Sequence, residues 1–131
     1  VRPSIAAGLV TVALLVTGCS VGDSEQQVSQ VAARFLAATG AHDTATACTL
    51  LTPRTRENLT NSDGETCLEA LPADRIPEVP VGAAAVWSDW AKVDTQAGAL
   101  FLTELDNGWR VAAAGCTPTG DSRPYRCVVS D

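Results

Sequence analysis

The spacing of apolar positions changes partway along the chain. Val28, Val31, Ala32, Phe35 and Leu36 recur at i, i+3, i+4, i+7 and i+8, which makes one apolar stripe on a helix. Ser24 and Gln27 precede that stripe as an S-x-x-Q capping box that predicts its start. Gly40 is placed to end it as a C′ residue. Asp43 predicts the cap of a second, shorter helix through Ala45, Ala47, Cys48, Leu50 and Leu51. Thr52-Pro53 restarts the chain, an N-cap followed by Pro at the first helical position, and the third helix runs to about Leu59. Asn61-Ser62-Asp63-Gly64 is turn chemistry. Glu65 to Leu71 reads as one more helical turn, carrying Cys67, Leu68 and Leu71 inward.

Pro72, Pro77 and Pro80 then interrupt the helical pattern, and from about Val81 the apolar period falls to two. Ala83 to Val86 predicts an edge strand, and Trp90 to Thr95 alternates with Ala91 and Val93 on one face. Ala99 to Leu105 is a stronger strand, and Asp106-Asn107-Gly108 behind it is a hairpin signal. Trp109 to Ala114 returns antiparallel, Thr117 to Pro124 is a loop, and Tyr125 to Ser130 supplies a last strand. Helices first and strands second predict an α+β domain over residues 26–131. Its N-terminal helices pack on a curved antiparallel sheet of about four strands.

The first 18 residues follow another pattern. Arg2 and Pro3 lead into an apolar run from Ile5 to Val16, and Val16-Thr17-Gly18-Cys19 follows. A charged start, a short apolar centre and small residues before a cut site are the parts of a secretory signal. The run is shorter than the ~20 residues a membrane span needs, and Ser20, Gly22, Asp23, Ser24 and Glu25 stop it. Val16-Thr17-Gly18-Cys19 resembles the lipobox of bacterial lipoproteins. That resemblance implies cleavage before Cys19, a diacylglyceryl (palmitate-type) anchor on its thiol, and residues 19–25 as lipidated cysteine and tether. The membrane is then the first partner, and the domain lies on the extracytoplasmic side.

Charge narrows the partners. The chain carries 9 basic and 15 acidic side chains, a formal net charge of −6. No basic stripe is present, which argues against nucleic acid and against attraction to anionic headgroups. The bias to arginine and alanine, with Lys92 the sole lysine, fits a GC-rich bacterial genome such as an actinobacterial one. Cys48, Cys67, Cys116 and Cys127 remain after Cys19, an even number in an exported chain, and predict two disulfides. Three pairings are open. The two local ones, Cys48–Cys67 and Cys116–Cys127, are favoured, and loop closure gives each roughly 3 kcal/mol. With no C-x-x-C and His42 the only histidine, no metal ligand set is expected.

The run from Ala41-His42-Asp43 to Thr52-Pro53 resembles the second helix of small NTF2-like (cystatin-like α+β) proteins. Asp106-Asn107-Gly108-Trp109-Arg110-Val111 resembles their late hairpin. Gly115-Cys116-Thr117-Pro118 and Tyr125-Arg126-Cys127 are similar to small actinobacterial lipoproteins of unassigned function. NTF2-like isomerases use carboxylic acids and a Tyr in an apolar pocket, so the resemblance singles out Asp89, Asp94 and Tyr125. Period two puts Asp94 on a face with Trp90 and Lys92, opposite Ala91 and Val93, which favours solvated positions. His42, beside Asp43, reads as a helix-end cap.

Trp87, Trp90, Phe101 and Trp109 are the candidate ligand face, and Trp109 is expected to cover the core near Phe35. No catalytic set and no cofactor motif stands out, since Gly-x-Ser-x-Gly is absent. The expected function is therefore a lipid-anchored binding or accessory module, with an unknown protein or small molecule as partner. The alternatives are a small-molecule carrier with a concave apolar pocket and, behind it, an NTF2-like enzyme.

Overall fold

A computed structural model describes residues 21–60, 64–120 and 124–131, together with Pro3. The expected signal segment, Pro3 apart, and Cys19 lie outside the described residues. Four helices come first: α1 (Val21–Gly40), α2 (Thr44–Leu50), α3 (Pro53–Leu59) and α4 (Cys67–Ala70). A 3-10 turn over Ala73–Arg75 leads into β1 (Val81–Trp87), β2 (Trp90–Thr95), β3 (Ala99–Leu105), β4 (Gly108–Pro118) and β5 (Tyr125–Arg126). The strands form one antiparallel meander in the order β1-β2-β3-β4-β5. The sheet thus has five strands rather than about four, and the helices pack on one face of it. β5 is only two residues long, and beyond it Val129 adds a single bridge to Ala114.

Val28, Ala32, Phe35 and Leu36 of α1 are buried along the expected stripe. The helix already includes Val21, however, so Ser24 lies inside it rather than capping it, and residues 21–25 are helical. Gly22 disfavours a helix by only about 1 kcal/mol, and Asp23 suits the first turn. The other end also differs from the expectation. His42, not Gly40, takes the left-handed conformation, at φ 53°. The His42 N–H donates to Thr39 O at 3.1 Å and the Asp43 N–H to Ala38 O at 2.8 Å, which is a Schellman motif with His42 at C′. Gly40 serves another purpose: a Cβ there would lie 2.6 Å from Glu78 Cβ. Its missing side chain lets the connection before β1 pass close to the helix.

Asp43 then caps α2. Its carboxylate accepts from the Thr46 N–H at 3.1 Å and from Thr46 Oγ1 at 2.7 Å. These two bonds hold the Asp43 carboxyl below the ordinary carboxylate value. Thr52 caps α3 by accepting from the Thr55 N–H, with Pro53 at the first position. At α4, the Thr66 N–H donates to Glu69 Oε2 at 2.9 Å, closing a T-x-x-E turn. That turn carries Cys67 and Leu71 inward, but Leu68 points out and is exposed. Disulfides join Cys48 to Cys67 and Cys116 to Cys127, so the first staples α4 to α2.

β4 runs past Ala114 to Pro118 because two irregularities let it turn. Leu102 pairs with Val111 and Phe101 with Ala113, which leaves Ala112 as an extra residue. A second irregularity separates the Phe101↔Ala113 and Ala99↔Cys116 pairs. Gly115 lies there at φ 64°, and a Cβ on it would come within 2.7 Å of Val128. Such bulges bend a strand and re-aim its side chains. At the first bulge the α2–α3 corner docks. The Thr52 N–H donates to Val111 O at 2.9 Å and buried Thr55 Oγ1 donates to Ala112 O at 2.8 Å. The interior between helices and sheet is filled by Phe35, Leu51, Ile76, Leu100, Leu102, Val93 and Val111, each under 2% exposed. Burying each such side chain stabilises the fold by roughly 1.5–3 kcal/mol.

Two substitutions test this account. Alanine at position 40 gains about 1 kcal/mol of helix preference but overpacks against Glu78, at about 1–3 kcal/mol. Gly40→Ala is expected to melt below wild type, and His42→Gly to melt no lower, by circular dichroism. Thr55→Val leaves the Ala112 carbonyl unpaired and should cost about 1–3 kcal/mol in urea unfolding. Thr55→Ser keeps the hydroxyl and should cost less.

Candidate functional site: an aromatic ledge on the outer sheet face

Side chains alternate across the meander, and directly paired residues share a face. Ala91, Val93, Leu100, Leu102, Trp109 and Val111 face the helices and are buried. The partners on the other side are Trp87↔Trp90, Trp90↔Thr103 and Lys92↔Phe101. Trp87 and Trp90 flank the two-residue turn Ser88-Asp89, where Ser88 has φ 57°. All three aromatic side chains that are exposed among the described residues lie on this outer face: Trp87 at 51%, Trp90 at 41% and Tyr125 at 38%.

The face is held from below by a second, smaller core. Ala99, Ala113 and Cys116 are buried there, with Phe101 and Cys127 packed against them. The Cys116–Cys127 bond brings β5 onto this layer, and Tyr125 meets Phe101 edge to face with centroids 5.0 Å apart. Lys92 Nζ lies 5.7 Å from the Tyr125 centroid and 3.0 Å from Asp94 Oδ1. Asp94 first, and Tyr125 after it, push the Lys92 ammonium above its usual value, so it stays a cation. Beside Trp90 a surface cleft of about 300 Å³ opens between the sheet and α3. Trp90, Thr103 and Leu105 form one wall, Thr52, Pro53 and Arg54 the other, with Asp131 at the rim. A second cleft, of about 340 Å³ at Pro80–Gly82 and Asp94–Gln96, has no aromatic lining.

The residues singled out in the sequence thus separate. Trp87, Trp90 and Phe101 share the outer face. Trp109 does not: it is 3% exposed on the inner side, in the same core as Phe35. Its indole N–H has no acceptor among the described residues. The register explains the split, since Trp109 pairs with Glu104, which alternates with Phe101 and Thr103. Asp89, Asp94 and Tyr125 do not assemble a buried acid. Asp89 is exposed in the β1–β2 turn, its carbonyl accepting from the Glu104 N–H, while Asp94 is turned to Lys92. His42 is exposed at the end of α1. Lys92, Thr103, Pro53 and Arg54 complete the ledge and were not singled out in the sequence. Period two carried a signal for the first two, whereas the nearness of α3 to Trp90 had none.

Among the described residues no group of three or more His, Cys, Asp or Glu side chains could hold a metal ion. No described helix is long and apolar enough to cross a membrane. Comparison of the chain with known protein families, with curated proteins and with solved structures finds no match.

Inner and outer tryptophans should respond differently to truncation. Trp109→Ala is expected to cost about 3–5 kcal/mol and to deplete folded protein. Trp90→Ala should cost only about 1 kcal/mol, the span of strand preference. Thermal melts of the two variants against wild type check this.

Proposed function

We propose that the chain is a lipid-anchored extracytoplasmic module that binds a partner or ligand through the outer face of its sheet and carries no chemistry of its own. One observation carries the reading: the exposed aromatic residues gather on one face while the helix–sheet interior is filled. Solvent-facing Trp and Tyr are costly to leave uncovered and are enriched where proteins meet other molecules. Two disulfides support an extracytoplasmic location, where such bonds persist. Val16-Thr17-Gly18-Cys19 supports the anchor. The order of helices then meander supports the resemblance to NTF2-like proteins.

The filled interior argues against a carrier with a concave pocket. A smaller version of that reading is favoured by the cleft beside Trp90, whose ~300 Å³ is at the low end of ligand sites. The enzyme reading would need a buried carboxylate of raised pKa, and the separation of Asp89 from Asp94 and Tyr125 gives it no support.

Anchoring is tested at Cys19. Cys19→Ala, expressed in a bacterial host, should abolish labelling by an alkyne fatty acid and move the protein from the membrane fraction to the soluble one. Label or membrane association that persists in the variant refutes the anchor.

A further inference from the structure

Building on the reading of Cys19 as a lipid anchor and of the outer face as a binding surface, we propose that the end of the domain carrying Trp87 and Trp90 rests on the bilayer that holds the anchor, with both indoles in the headgroup layer. The leash is short. Helix α1 already includes Val21, and the chain from Cys19 to Val21 reaches at most about 7 Å in any conformation. A lipidated Cys19 therefore keeps the first turn of α1 at the membrane surface.

Topology brings the tryptophans to the same end. Gly40, at the other end of α1, lies against Glu78 just ahead of β1. From that contact α1 runs back along β1, the strand it packs on most. The helix from Gly40 back to Val21 is about 30 Å long, and an extended chain from Glu78 to Trp87 covers about the same distance. Trp87 and Trp90 flank the turn that closes β1. The Glu104 N–H donates to Asp89 O at 2.9 Å, so the β3–β4 turn lies beside that one. Both turns share the end of the sheet toward which the N-terminus of α1 points. Tyr125 lies farther along the sheet, against Phe101, and faces water.

Chemistry selects the bilayer interface as the occupant. A domain on a short leash can pivot, and it turns to the membrane the surface that gains most there. Gln26, Gln27 and Gln30 on the open side of α1 are polar and gain nothing. Trp87 and Trp90 are 51% and 41% exposed. Indole is apolar with a single N–H donor, and it favours the layer between acyl chains and water. Charge does not make the choice. Asp23, Asp89, Glu104 and Asp106 at this end outnumber Arg54 and Arg110, so the contact is one of rings with the interface, not of cations with anionic headgroups. It adds a second hold to that of the acyl chains.

The test uses the full chain, expressed in a bacterial host, purified from the membrane fraction and reconstituted in phosphatidylcholine vesicles. Labelling by an alkyne fatty acid and co-flotation with the vesicles report the anchor. Tryptophan emission, with bromine near the top of the acyl chains as quencher, reports the rings. The chain has three tryptophans, and Trp109 is buried in the core, so its emission should survive. Labelled, floating protein should lose emission from Trp87 and Trp90, and raised salt should not restore it. In the double variant Trp87→Phe, Trp90→Phe the quenching should vanish, while label, flotation and melting curve persist. Labelled protein that floats with its emission unquenched overturns the seating and leaves the anchor standing. Quenching that the double variant retains, or that salt removes, overturns the seating too. An unlabelled chain that stays out of the vesicle layer overturns anchor and seating together.

Discussion

Two buried hydrogen bonds join the halves of this molecule. The Thr52 amide and the Thr55 hydroxyl reach the carbonyls of Val111 and Ala112, where β4 bulges. Without the bulge those carbonyls would belong to the sheet ladder or be buried without a partner, at a cost of about 1–3 kcal/mol each. Without the helix corner the bulge would have no reason to persist. Each half therefore satisfies the backbone of the other, and Leu51, Leu102 and Val111 pack around the junction.

The same bulges decide what faces where. Ahead of them, Trp109 and Val111 point to the helices. Past Ala112, Ala113 pairs with Phe101 on the outer side and Ala114 returns to the main core. Past Gly115, Cys116 points outward into the second layer with Ala99 and Phe101. Only there can it bond Cys127 and set Tyr125 beside Phe101. The Phe101–Tyr125 side of the ledge is thus a product of backbone irregularity in the strand between them, while Trp87, Trp90 and Lys92 are placed by regular pairing.

Much of this was legible in the residues, for identifiable reasons. Caps such as Asp43 and Thr52 act on their own next turn, so a short window shows them. The local disulfides followed from compartment and spacing, and Ala91 and Val93 betrayed the inner face by period alone. What failed depended on distant partners. Gly40 looked like a helix terminator, but the residue it makes room for is Glu78. Leu68 looked inward because its turn is amphipathic only from Cys67 and Leu71. Trp109 carried two expectations, core near Phe35 and ligand face, and the first holds; size and aromaticity alone do not report a face. Only its pairing with Glu104 does. The bulge at Ala112 lies in Val111-Ala112-Ala113-Ala114, where no glycine, proline or charge marks it.

The meander has a consequence for the order in which the chain can fold. Every strand pairs with its neighbour in sequence, and the disulfides span 19 and 11 residues. Contacts this local form early because little loop entropy opposes them. The Thr55–Ala112 contact spans 57 residues and cannot form until β4 has emerged and bulged. A chain delivered across a membrane from its N-terminus would present its helices first, with their apolar stripe uncovered until the sheet arrives. The segment from Cys127 to Val129 then locks both layers at once, through one sulfur bridge and three backbone hydrogen bonds with Ala114.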